Sequence, residues 1–145
     1  MIPKDFNVRK LAPMYCRDGN IRKTAEALGI SETAVANYQL GKRAPNARII
    51  QKVRALNDIS VDDLLQLPER CRKVPKVSPD TMAGRIRYAR MLNEFDVESA
   101  AAAAGIHQTT LTKWEQGALP GFWKLRQYCI AMTVSADWII GEEET

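Results

Sequence analysis

The sequence predicts an all-α protein built from two tandem five-helix domains, each with a helix-turn-helix at its centre. Three observations predict it. An eighteen-residue pattern at 24–41 returns 76 positions later at 100–117, with Ala25/Ala101, Ala27/Ala103, Gly29/Gly105, Ile30/Ile106, Thr33/Thr109 and Gly41/Gly117 identical. Val35/Leu111 and Tyr38/Trp114 are alike in kind, and a period covering half a chain implies two copies of one fold. Apolar residues recur at three- and four-residue spacing almost throughout, and no stretch alternates as a strand would. Finally, residues 68–79 interrupt this spacing with Pro68, Pro75, Pro79 and several charges, which reads as an extended, fairly stiff linker. The expected organisation is therefore a first domain over 1–67, a linker over 68–79, and a second domain with an acidic tail over 80–145.

The elements follow in order. In the first repeat, Pro13 falls inside the expected first helix and either kinks it or starts it. Asn20 caps helix two. Gly29 makes the turn in the left-handed conformation that glycine adopts cheaply. Helix three runs to Gly41, Pro45 and Asn46 precede helix four over 48–56, and Ser60-x-Asp62 opens helix five. The second repeat copies this plan. Its first helix spans about 80–93, with Arg85 read as an exposed residue. Asp96 caps helix two, which ends at Gly105. Helix three covers 108–116 and stops at Gly117, helix four follows Pro120 to Met132, and Ser135 with Asp137 opens a short fifth helix ending at Gly141. Domains of about 60 residues bury only about 60% of their unfolded surface, so each half is small but viable.

Charge divides the chain unevenly. Residues 1–73 carry 14 Lys/Arg against 8 Asp/Glu, a net of +6; residues 80–145 carry 6 against 9, a net of −3; Lys76 completes the total of +4. The basic half is the one expected to meet a polyanion. No run approaches the ~20 apolar residues of a membrane span, and the N-terminus lacks the apolar core of a signal peptide. Cys16, Cys71 and Cys129 are odd in number and far apart, and His107 is the lone histidine. That leaves no ligand set for zinc and suggests reduced thiols in a cytoplasmic, nucleoid-associated protein. No carboxylate pair, Ser/His/Asp set or phosphate-cradling loop is visible, so an enzyme is not expected, and neither is a cofactor.

The chemistry expected of the repeat lies on its third helix. Helix two needs small residues where helix three crosses it, hence Ala25 and Ala101. Helix three needs apolar anchors, Val35 with Tyr38 and Leu111 with Trp114. Its remaining face must be polar and short enough to approach base edges: Glu32, Thr33, Ala36 and Asn37 in one repeat, Gln108, Thr109, Thr112 and Lys113 in the other. Lys42, Arg43 and Arg48 beside the first reading helix are expected to touch phosphates. Trp114, Trp123 and Trp138 fall at helical spacing among apolar neighbours and read as core. His107 begins helix three, either capping it or touching a phosphate. Glu32 has the wrong sign for phosphate; it either accepts from cytosine N4 or marks a half that reads little sequence.

With these residues in place, the chain resembles the lambda-repressor-like (Xre/Cro) family of phage and bacterial regulators. The second repeat is the closer match over 81–141, through Gly-Ile-x-x-x-x-Leu-x-x-Trp-Glu-x-Gly at 105–117. The resemblance implies a five-helix domain whose third helix reads the major groove of double-stranded DNA. It makes Arg22, Lys23, Ser31, Glu32, Thr33, Ala36, Asn37, Lys42, Arg43 and Asn46 the expected DNA contacts of the first half. In the second half they are His107, Gln108, Thr109, Thr112 and Lys113. It also implies a structural ion pair, Arg90 with Glu115; the same two places in the first repeat hold Met14 and Gln39, so both partners are lost together. The family's glutamine at the start of helix two is replaced by Ile21 and Val97.

The function expected is a sequence-specific transcriptional regulator, foremost a repressor, that occupies an operator and excludes or recruits polymerase. On this reading the 68–79 linker spans the roughly 34–36 Å between successive major-groove faces. The alternatives are a chain whose first half binds DNA while the acidic half binds a second copy or a protein partner, a small subunit of phage DNA packaging, and an antitoxin repressing its own promoter.

Overall fold

The computed structural model describes residues 2–141; the acidic run expected at 142–144 lies outside them. The described residues are all-helical. Helices α1 (Leu11–Tyr15), α2 (Ile21–Leu28), α3 (Glu32–Gln39), α4 (Ala47–Asn57) and α5 (Val61–Leu64) make the first half. Helices α6 (Met82–Leu92), α7 (Val97–Ala104), α8 (Gln108–Glu115), α9 (Phe122–Met132) and α10 (Ala136–Ile140) make the second.

Most starts are fixed by local chemistry. Side chains of Asn20, Ser31, Asn46, Ser60, Thr81, Asp96, His107 and Ser135 each accept a hydrogen bond from a first-turn N–H, satisfying donors that a helix leaves orphaned. Pro13 does not kink α1. It sits third in the helix, where its missing N–H has no intrahelical partner to lose, and a 3-10 turn at Val8–Lys10 leads into it.

The apolar faces of both halves merge into one buried cluster, from Phe6, Tyr15, Leu28 and Ile50 to Ile86, Leu111, Tyr128 and Ile139. Where the halves meet, the contacts come in exchanged pairs offset by 75 residues. The N–H of Ala47 donates to the Pro120 carbonyl at 2.9 Å and that of Phe122 to the Pro45 carbonyl at 3.0 Å. Gln51 Nε2 donates to the Ile140 carbonyl at 3.0 Å, and Arg126 Nε to the Leu65 carbonyl at 2.8 Å. The Ser60 hydroxyl donates to Asp137 and the Ser135 hydroxyl to Asp62, each at 2.7 Å. Asp137 also accepts from the N–H groups of Val61 and Asp62, and Asp62 from those of Ala136 and Asp137. Each short fifth helix is thus capped by a carboxylate from the other half.

The two carboxylates differ in environment. Burial pushes the Asp62 carboxyl up, against the Ser135 hydroxyl and with repulsion from Asp137. Burial also opposes ionisation of Asp137, but the N–H groups of Val61 and Asp62, the Ser60 hydroxyl and Arg54 outweigh it and hold its carboxyl below the usual range. Arg54, 3.3 Å from Asp137, also donates to the Gly141 carbonyl.

Three expectations need correction. Residues 68–79 are not extended throughout. A 3-10 turn covers Glu69–Cys71, Cys71 is fully buried, Arg72 is held by Asp63 and the Leu67 carbonyl, and the Lys73 carbonyl accepts from Ser135 at 2.8 Å. The segment is strapped to both halves. Arg85 is buried rather than exposed, at 5% relative exposure. It donates to the carbonyls of Pro79, Ile139 and Ile140. A methyl on Gly141 (φ +62°) would lie 2.5 Å from its guanidinium. Thirdly, α6 starts after Thr81 rather than at residue 80.

The tryptophans pack inward. Trp114 and Trp138 are buried, and Trp123 stacks edge-on against Phe6 and Phe122 at 4.7 Å. Cys16, Cys71 and Cys129 are buried and unpaired. No described helix is long and apolar enough to cross a membrane.

Candidate nucleic-acid interface

In each half the turn is closed by one glycine. Gly29 and Gly105 have φ of 71° and 68°, and the following Ile30 and Ile106 donate back to the carbonyls of Ala25 and Ala101. Such closure joins helices two and three at a fixed angle. α3 buries Ala34, Val35 and Tyr38, the last 5.6 Å from Tyr15. α8 buries Leu111 and Trp114, the latter edge-on to Tyr128 at 5.8 Å. With one stripe committed to the core, the opposite stripe must face out.

The structure brings the expected residues to that outer side. Glu32, Thr33, Gln108, Thr109, Thr112 and Lys113 are exposed; Ala36 and Asn37 are half-buried. Lys42 and Arg43 are exposed in the loop after α3, which is held down because the Asn37 carbonyl accepts from both of their N–H groups. The same closure recurs after α8, where the Lys113 carbonyl accepts from the N–H of Ala118 at 2.9 Å.

Several of these residues already have work within the fold. Ser31 and Asn46 cap α3 and α4 with their side-chain oxygens. Asn46 also forms the backbone bridge to Gly121, and the residue is exposed. His107 accepts the Thr109 N–H at Nδ1; a neutral ring accepting there carries its proton on Nε2, a donor on an exposed side chain. Capping and phosphate contact are therefore compatible. Arg22 lies 3.6 Å from Glu26, both well exposed, so its charge is only loosely engaged. Lys23 is exposed.

Behind α8, Arg90 and Glu115 form a bidentate pair at 2.8 and 2.9 Å, with side-chain exposures of 14% and 11%. Arg90 also donates to the Phe95 carbonyl. At the matching place in the first half, Gln39 donates to the Ala12 carbonyl at 3.1 Å, a neutral bond replacing an ionic one.

Sequence reasoning did not find the exchange of Asp62 and Asp137. Its signal is the repeated Ser-x-Asp, which by spacing alone reads as each half's own helix start. Compared with family models, curated proteins and solved structures, this chain matches none of them.

Proposed function

We propose that this chain is a sequence-specific DNA-binding regulator of the phage or bacterial type, made of two tandem five-helix units of the lambda-repressor-like kind. It lays the outward stripes of α3 and α8 in the major groove and acts by occupying an operator. The observation that carries this reading is the repeated frame. Twice, a glycine-closed turn presents a helix with a buried apolar stripe and a solvent-facing stripe of short polar side chains. Side-chain amides at Asn37 and Gln108 suit an adenine edge, and Lys42 and Arg43 suit phosphate.

A second reading has its own support. At the places matching Arg22, Lys42 and Arg43, the second half holds Glu98, Ala118 and Leu119. On that reading α8 meets a protein partner and only the first half grips DNA.

Selection of bound sequences from random duplex DNA, using the whole chain, tests the proposal. Enrichment of a defined sequence is expected. Retention of all sequences alike, or of none, would overturn it.

A further inference from the structure

The contacts between the halves carry information about the arrangement of any site they read together. Three sets of hydrogen bonds repeat with the halves exchanged: at Pro45–Ala47 with 120–122, at Gln51 and Arg126, and at 60–62 with 135–137. When residue i touches j and the equivalent of j touches the equivalent of i, the two surfaces are related by a two-fold rotation. The axis passes through the middle of each exchanged set, so it runs through the Asn46–Gly121 bridge. α3 ends seven residues before that bridge and α8 six residues before it. A rotation preserves height along its own axis. The rotation exchanges α3 and α8, which therefore lie at one height along the axis, on opposite sides of it.

Duplex DNA has two-fold axes of its own, perpendicular to the helix axis. Two readers related by a two-fold and facing one duplex meet its strands in opposite polarity. They meet different residues as well: Glu32, Ala36 and Asn37 against Gln108, Thr112 and Lys113. The shared core and the strapped 68–79 segment fix their separation.

The geometry points to one chain, not two, filling a complete DNA site composed of two inverted, unlike half-sites at a single fixed spacing. This rests on the DNA-reading function proposed above.

The test uses the whole chain and the sequence enriched from random DNA. Four duplexes are compared by fluorescence anisotropy: the enriched sequence, the same with one half reversed into a direct repeat, and the same with five or ten base pairs inserted between the halves. Native mass spectrometry counts chains per duplex. The expected result is one chain on the enriched duplex and at least tenfold weaker binding to the other three. The ten-pair insertion is decisive, because a full turn of about 10–10.5 base pairs restores the facing of the half-sites but not their distance. A flexible tandem protein would regain its affinity there; a fixed pair does not. Equal binding to the direct repeat, recovery at ten pairs, two chains per duplex, or enrichment of a lone half-site overturns this inference while leaving DNA reading intact. No enrichment at all overturns both.

Discussion

The two halves keep one frame and differ in what they mount on it. Both close the turn with glycine, anchor helix three with an aliphatic residue and an aromatic, and cap the other half's fifth helix. The first half carries Arg22, Lys23, Lys42 and Arg43 on the helix and loop adjoining α3; the second has Glu98, Ser99, Ala118 and Leu119 at the same places. Support behind the helix differs in the opposite sense, ionic in the second half and neutral in the first. At the seam, Phe6 and Trp123 fill one flank, while their counterparts Met82 and Arg48 line an open cavity of about 380 Å³. The comparison teaches that the backbone frame and the exchanged caps are shared by the two halves, while the support behind helix three, one flank of the seam and the charge facing solvent are not.

The largest test of this contrast lies behind α3 and α8. Arg90→Ala strands Glu115 and is expected to cost about 3 kcal/mol, near the low end for a buried pair because both groups keep some exposure. Gln39→Ala, at Glu115's counterpart, removes one neutral hydrogen bond and should cost about 1 kcal/mol. Denaturant melts of the full chain compare them; equal costs would erase the distinction.

Next are the exchanged carboxylates. Asp137→Asn gives up charge-assisted bonds and should cost about 2 kcal/mol at neutral pH. The pH dependence should separate the pair. Asp137 titrates below the usual carboxylate range, so its stabilisation is present above that range and lost as pH falls through its folded pKa. Asp62 titrates above its ordinary value, so its ionised form is costly and stability is recovered as pH falls through that raised value. Asp137→Asn should therefore flatten the acid loss of stability and Asp62→Asn should steepen it. Thermal melts over an acid pH series read both slopes, and changes of the same sign relative to the unsubstituted chain would contradict the assigned environments.

Base reading comes third. On the selected duplex, Asn37→Ala and Gln108→Ala should each lose about 1–2 kcal/mol of discrimination over scrambled DNA. If only Asn37→Ala does so, the second half is not a reader. The smallest effect concerns phosphate. Lys42→Ala should weaken all sequences alike and reduce the salt dependence by about one unit, while Ala118→Lys should steepen it by about one. A salt titration with no change for either would place the loops away from DNA.

These experiments use the whole chain for a reason that the sequence did not reveal. Cutting at 68–79 would uncover the shared core. The segment's prolines and charges describe only its own stiffness; what straps it down is Cys71, buried against the second half, and a backbone bond to Ser135. Helix starts were legible because a cap reaches only two or three residues along the chain, as at Asn20, Asp96 and Ser135. The Arg90–Glu115 pair was legible through resemblance to a known frame. Arg85 was not: one arginine on an amphipathic helix looks like another until the carbonyls at the end of α10 are brought to it. The exposure of the outward stripes of α3 and α8 could be read from spacing, but their mutual orientation depends on bonds between residues 61 to 89 positions apart.

The exchange of caps within one polypeptide has a consequence for dose. Two separate subunits must find each other before they share a core, so their stability rises with concentration. Here that encounter is part of folding itself, and the melting temperature should not vary with protein concentration. For a regulator of the kind proposed, occupancy of a site would rise with the first power of copy number where a dissociable dimer follows the square, and a cell holding few molecules would still fill its site.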